Sequence, residues 1–256
     1  MSAAASNGVS NETSSSKGIS PKITLYTNHG CPWAHRAHIT LRALNIPFEE
    51  VIIPLDRPRE PWYLKVNPRG LVPSIKISNG ILEDEILTES AIVSTFIAEL
   101  FPSPTFWPAS HSTPTSALER ARISFFVDTF IGKVNGLLYP LLKSEGEEKE
   151  KLGTELVQVV EKEIEPLLEG AQPFFGGKES LTLAEALTAP FVVRYRAFGQ
   201  KGLFPKSLLG GLDALPNYSK WSQALHEQDA VTYIFDGPAV ADRTAERIAK
   251  MKADGK

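Results

Sequence analysis

Cys31 is the only thiol in a chain of 256 residues, so any sulfur chemistry here involves one cysteine per chain. It stands in the segment Asn28-His29-Gly30-Cys31-Pro32-Trp33-Ala34, after the β-prone run Ile23 to Thr27. Behind it Ala34, Ala37, Leu41 and Leu44 recur at helical spacing. Proline suits the first turn of a helix, so Pro32 marks the start. A cysteine at such a strand-to-helix junction faces unpaired backbone N–H groups and the positive end of the helix dipole. Those surroundings favour a thiolate, the form that acts as a nucleophile. The position three residues on is Ala34 rather than a second cysteine. Disulfide exchange would therefore need an external thiol to complete its cycle. The plainer alternative is a small buried cysteine that only packs, and the local pattern leaves both readings open.

Other chemistries find little support. His29 lies two residues before Cys31; it would favour the thiolate if protonated, or simply sit on a surface turn. His35, His38, His111 and His226 show no metal-ligand spacing with one another or with Cys31, so no metal is expected. There is no glycine-rich phosphate or dinucleotide loop, and Ser90, Ser180 and Thr182 are not set in a nucleophile elbow. A formal charge of −3 gives no electrostatic reason to expect nucleic acid or an anionic membrane as partner. No apolar run approaches the ~20 residues that span a bilayer, and the N-terminus lacks the apolar core of a signal peptide. With no second cysteine for an internal disulfide, the cytoplasm is the default location.

The elements that must position Cys31 follow from the pattern. Residues 1–20 are rich in Ser, Ala, Asn and Gly and too poor in apolar groups to offset ordering entropy, so a disordered tail is expected. A second strand is expected over Phe48 to Ile53, a short helical piece over Trp62 to Val66, and a strand over Pro73 to Ile77. Asn79-Gly80 signals a tight hairpin into Ile81-Leu82, and a helix runs from Glu89 to about Leu100. This order, βαβαββα over 21–101, is thioredoxin-like. Closely spaced prolines in 102–113 indicate an interdomain linker. The remainder, 114–256, reads as all-helical, with helices near 114–143, 147–170, 181–197, 217–227 and 238–251.

Several blocks then become recognisable together. The run Leu25 to Arg36, with Cys31-Pro32-Trp33-Ala34 at its centre, resembles the active-site segment of cysteine-type, omega-like cytosolic glutathione S-transferases. It also shares features with glutathionyl-hydroquinone reductases. The likeness continues through Asn67-Pro68-Arg69-Gly70-Leu71-Val72-Pro73-Ser74, Thr88-Glu89-Ser90-Ala91-Ile92, Phe174-Phe175-Gly176-Gly177 and Thr182-Leu183-Ala184-Glu185.

The resemblance implies a glutathione transferase fold, glutathione as co-substrate and a homodimer. The expected activity is a thiol transferase or reductase, with glutathione-conjugating detoxification or non-catalytic binding as alternatives. Cys31 would be catalytic. Val72, before a cis Pro73, would present its backbone to glutathione like an added strand. Glu89 would pair with the γ-glutamyl ammonium and Ser90 would hold its carboxylate at a helix N-terminus. Arg59 matches a cationic glutathione contact, or is a solvated surface arginine; Trp33 lines the same site, or belongs to the core. Thr182 and Glu185 form a capping box with a structural role. Phe125, Phe126, Phe130, Tyr195 and Trp221 would either line a site for a small apolar or aromatic second substrate or fill the core. Arg194 matches a polar position near that site.

Overall fold

The central strand is Lys22–Thr27 (β1), buried after its first residue and carrying branched or aromatic side chains suited to a sheet with both faces covered. A computed structural model describes residues 21–253; the expected N-terminal tail, 1–20, lies outside the described residues. Helix α1 (Pro32–Ala43) follows, then β2 (Glu49–Ile52), α2 (Pro61–Val66), β3 (Ser74–Ser78), β4 (Glu85–Thr88) and α3 (Ser90–Leu100). The sheet order is β2-β1-β3-β4, with β1 parallel to β2 and antiparallel to β3, and β3 antiparallel to β4. Ile23 and Leu25 join Ala37, Leu41, Val93 and Ile97 in one buried cluster. Tyr26 turns to the other face, with Tyr63 of α2 and Val72. The parallel β1–α1–β2 unit thus puts the start of α1 at the end of the central strand, where Cys31 is.

The hairpin differs from its sequence expectation. The fourth strand begins at Glu85, not at Ile81-Leu82. Asn79 is the reason: its side-chain Oδ1 accepts hydrogen bonds from the N–H groups of Ile81 (3.1 Å) and Leu82 (2.8 Å). That local turn competes with the sheet ladder, and the chain needs positive φ again at Asp84 before pairing resumes.

The segment between the halves is packed rather than free. Phe106 and Trp107 are buried, the Phe106 carbonyl accepts from Leu183 N–H, and the Arg120 guanidinium lies 4.2 Å from the Trp107 ring centroid. Beyond it come α4 (Ser116–Thr129), a π turn (Phe130–Val134), α5 (Asn135–Lys143), α6 (Gly146–Val159), α7 (Leu183–Gln200), α8 (Lys206–Asp213), α9 (Pro216–His226), α10 (Asp229–Thr232) and α11 (Gly237–Ala253). Helix α8 escapes the sequence reading because Gly210-Gly211 resembles a break. Its Gly211 serves close packing instead: a Cβ there would lie 2.8 Å from a Val157 methyl on α6. Among the described residues no helix is long and apolar enough to cross a membrane.

Helix α7 is the spine, packing against α1 and α3 of the sheet domain and α4, α9 and α11 of the helical one. Thr182 and Glu185 form the expected capping box at its start. Glu185 is fully buried, and its carboxylate accepts from Phe175 N–H, Trp221 Nε1, Thr182 N–H and the Thr182 hydroxyl. Leaving buried donors unpaired costs about 1–3 kcal/mol each. Glu185→Ala is therefore expected to lose at least about 3 kcal/mol of unfolding free energy, against about 1 kcal/mol for Thr182→Ala. Urea midpoints with unchanged m-values check both.

Candidate functional site

Three chain segments meet at one end of the sheet. The β1–β3 and β3–β4 ladders place Ser74 opposite both Tyr26 and Thr88. The residues just before Ser74 (Val72-Pro73), just after Thr88 (Glu89-Ser90) and just after β1 (the Cys31 turn) must therefore neighbour one another. Cys31 occupies the N-cap of α1 with no side-chain cap bond, and Pro32 is in the first turn. The residue is half-buried, and its sulfur lies 4.0 Å from the Val72 carbonyl. The Val72–Pro73 bond is cis.

A buried polar network supports the Val72 loop. The Tyr63 hydroxyl donates to the Leu71 carbonyl (2.5 Å) and lies 3.2 Å from the Ser74 hydroxyl; the Asn67 amide donates to the same two groups. Burial pushes the Tyr63 phenol up from its ordinary value. Arg59 serves this loop as well: it donates to the carbonyls of Gly70 (2.9 Å), Pro54 (2.6 Å) and Arg57 (2.6 Å). These bonds tie the proline-rich loop to the turn before Val72.

Glu89 is the N-cap of α3 and has φ +72°, a left-handed conformation unusual for a non-glycine residue. Its carboxylate pairs with Arg69. No side chain caps α3, so neither Thr88 nor Ser90 plays that part. The Ser90 hydroxyl instead accepts from Arg36 Nη1 at 3.1 Å. Trp33 is 38% exposed, with its ring edge-on to Phe191 at 4.9 Å and the Arg36 guanidinium 4.6 Å from its centroid. Phe126, Phe130, Tyr195 and Trp221 are all buried in the helical core; only Phe125 of that group is exposed.

Helix α7 completes the site from behind. Arg194 is buried and donates to the Pro190 carbonyl (2.6 Å), the Gly30 carbonyl (3.4 Å) and His35 Nδ1 (3.2 Å). A guanidinium can only donate, so His35 Nδ1 accepts and its Nε2–H donates to the Val231 carbonyl at 2.8 Å. Burial pushes Arg194 down to about 10; the nearby Cys31 opposes that shift and Arg243 of α11 adds to it. Arg36 falls to about 10 through burial. Both remain cations at neutral pH, so a negative sulfur at position 31 would meet the first-turn N–H groups and the Arg194 charge. Arg36, Tyr63 and Asn67 have no assigned role in the sequence reading. Arg36 and Asn67 lie inside recognisable blocks, but the partners that explain them are distant in sequence.

The profile of the glutathione S-transferase N-terminal domain matches residues 30–100. A thioredoxin-like sheet domain followed by an all-helical one is the glutathione transferase fold, and the chain's relatives named as glutathione transferases support an enzyme of that kind. Mouse glutathione S-transferase omega-1 is 27% identical over 220 residues, 83% of each chain. The crystal structure of glutathione transferase Omega 1C from Trametes versicolor superposes with a TM-score of 0.73 at 26% identity, covering 90% of this chain and 98% of that one. Omega 2S from the same organism, crystallised with 2,4-dihydroxybenzophenone, superposes with a TM-score of 0.70 at 25% identity, covering 90% and 100%. In sequence and in fold the chain is thus similar to omega-class glutathione transferases.

Two buried imidazoles beside the site make its stability pH-dependent. His35 is held well below 6.5 by burial first and the Arg194 charge second; His38 is pushed down to about 3 by burial and then by His29. Below about pH 6.5 the unfolded chain takes up protons that the folded rings refuse. Their contribution is thus fully present above that value and is lost as pH falls toward the folded values. At about 1.4 kcal/mol per proton and pH unit, roughly 2–3 kcal/mol should disappear between about pH 7.5 and 5.5. Urea unfolding at the two pH values measures this, and His35→Gln should flatten the slope.

Proposed function

We propose that this chain is a glutathione-dependent thiol transferase or reductase working through a Cys31–glutathione mixed disulfide. The carrying observation is the placement of the sole cysteine: an α1 N-cap, partly exposed, with its sulfur beside the Val72 carbonyl. In the first step the Cys31 thiolate attacks the glutathionyl sulfur of a glutathionylated substrate. The substrate's sulfur or carbon leaves with the bonding electron pair and takes up a proton, while Cys31–S–S–glutathione forms. A second glutathione thiolate then attacks the glutathionyl sulfur of the adduct, releasing glutathione disulfide and restoring the Cys31 thiolate. No resolving cysteine is required.

Glutathione itself would lie along Val72, with its γ-glutamyl end at Glu89 and Ser90. The backbone of Val72 precedes β3, so an extended peptide there continues the sheet. The uncapped N-terminus of α3 suits a carboxylate. Glu89 offers its charge to the ammonium from the exposed pair with Arg69. Arg59 would act through the loop it ties together, and Trp33 would form part of the wall. A small aromatic second substrate is consistent with the half-exposed Trp33 ring and with the benzophenone held by the Trametes versicolor relative. A homodimer would cover the exposed apolar side chains of Ile92 on α3 and of Leu118 and Phe125 on α4. A cytoplasmic setting fits a cysteine that must be reduced to act.

Incubation with oxidised glutathione should add one glutathionyl group to the wild-type chain and none to Cys31→Ser, and reduced glutathione should remove it; intact mass reads both steps. Cys31→Ser should lose at least about a hundredfold in thiol transferase rate, of the order seen for a removed nucleophile. Full reductase activity in Cys31→Ser would overturn the reading. Ser90→Ala should raise KM for glutathione about tenfold with kcat little changed, as loss of one charge-assisted hydrogen bond predicts. Steady-state kinetics at varied glutathione separates the two effects.

A further inference from the structure

Behind the Cys31 turn, on the side of the sheet edge away from Val72, three ligand-type side chains converge. The β1–β2 ladder sets Leu25 opposite Glu50 and Thr27 opposite Ile52. The Glu50 side chain meets His29, from the turn after β1, with 2.7 Å between Oε2 and Nε2. Its other oxygen lies 3.9 Å from Nδ1 of His38, on the inner face of α1. The candidate donor atoms of His29, His38 and Glu50 all lie within 4.8 Å of one another. His29 and His38 are nine residues apart, and Glu50 joins them only through strand pairing, so no spacing rule in the sequence reveals the group.

We propose that His29, His38 and Glu50 bind a divalent transition-metal ion of the zinc class. Two imidazoles and one carboxylate are the donor set of open zinc sites, and ligands at about 2.0–2.2 Å from a tetrahedral ion stand roughly 3.4 Å apart. The separations present here bracket that value, so small side-chain rotations bring the three donors to an ion. Imidazole donors favour zinc-type ions over magnesium or calcium, which prefer oxygen. The outer partners are also in place. His38 Nε2 bonds the buried Thr27 hydroxyl at 2.8 Å, which leaves Nδ1 facing the group and fixes the ring as outer-shell partners of metal-bound histidines do.

The Tyr233 hydroxyl, 2.5 Å from His38 Nδ1, is the group that would have to swing aside. It has room: Tyr233 and Glu50 both line a groove of about 580 Å³ with Leu41, Phe48 and Asp229. Water from that groove would supply the fourth ligand. The ion would join the β1–α1 turn to β2 and α1, two residues upstream of Cys31. Occupancy would therefore stiffen the turn that carries the nucleophile without touching the sulfur.

The test uses the full, untagged chain stripped of metal. Titration calorimetry with Zn²⁺, and Co²⁺ added under a visible spectrophotometer, should give one ion per chain with tetrahedral-type absorption bands. His29→Ala and Glu50→Gln should each weaken binding at least tenfold. Both side chains are partly exposed, and matching urea midpoints of the metal-free variants confirm that folding is intact. Cys31→Ser should bind as wild type does. No uptake by the wild-type chain, unchanged uptake in the His29 and Glu50 variants, or loss of binding in Cys31→Ser would each overturn the site, the last by assigning the ion to the thiol. These readouts do not depend on glutathione chemistry.

Discussion

Two buried guanidiniums join the sheet domain to the helical domain at the point where the proposed chemistry takes place. Arg36 rises from α1 and donates to the Leu187 carbonyl of α7 at 2.8 Å as well as to Ser90. Arg194 descends from α7 and reaches the Gly30 carbonyl and His35. Burying a cation is costly unless acceptors surround it; here one backbone carbonyl of the opposite domain meets each guanidinium, while Arg36 Nη2 and Arg194 Nε have no partner among the described residues. The two bonds run in opposite directions across the interface, so sliding α7 along α1 would strand both charges. The Arg36 guanidinium also lies 4.6 Å from the Trp33 ring centroid and 5.2 Å from that of Phe191, which adds cation–π attraction at the same contact. The position of the Cys31 turn and the position of Ser90 are therefore set by one interface.

That constraint ties the helical domain to a candidate site whose cysteine and proposed glutathione contacts lie in the sheet domain. The β1–α1 turn has little to hold it locally: Cys31 caps nothing with its side chain, and Gly30 carries none. Its order comes from the Asn28 side chain, which accepts from Gly30 N–H and donates to the Ile53 carbonyl, and from Arg194 behind it. Arg243 of α11 also lies over Gly30, with guanidinium atoms 3.6 Å from where a Cβ would be. A Cβ at position 30 would crowd the Asn28 amide oxygen at 3.2 Å and make ordinary contact with Arg243. The C-terminal helix thus takes part in shaping the approach to the sulfur.

How far the sequence discloses such a structure depends on whether a feature is local. The strand-turn-helix around Cys31, the Thr182–Glu185 box and the order of sheet elements are written in neighbouring residues, and turn chemistry and periodicity are enough to read them. The fourth strand was displaced because Asn79 offers two distinct turns with the same two residues, and only pairing with β3 decides between them. Helix α8 was hidden because a glycine pair carries opposite meanings on an exposed surface and against Val157. Arg36 and Arg194 were unreadable in detail, since their acceptors lie 151 and 164 residues away. The same holds for Glu50, whose partners become visible only once β2 is laid beside β1.

The left-handed Glu89 shows the physical logic of the proposed glutathione site most directly. Positive φ at a non-glycine residue costs about 1–3 kcal/mol and persists only where surroundings over-determine it. Here β4 must end opposite Ser74 while α3 must start under α1 and α7, leaving a single residue to turn the chain. The strain has a consequence for the helix it precedes. An ordinary N-cap would bend a Ser, Thr or Asp side chain over the first-turn N–H groups and satisfy them. Glu89 instead sends its carboxylate outward to Arg69, and Arg36 engages the Ser90 hydroxyl from behind. The first-turn donors of α3 are thereby left without a protein side chain, next to the Val72 edge and the Cys31 sulfur. A carboxylate from a bound peptide is the group that such donors accommodate, which is why the backbone strain and the proposed γ-glutamyl contact belong to one device.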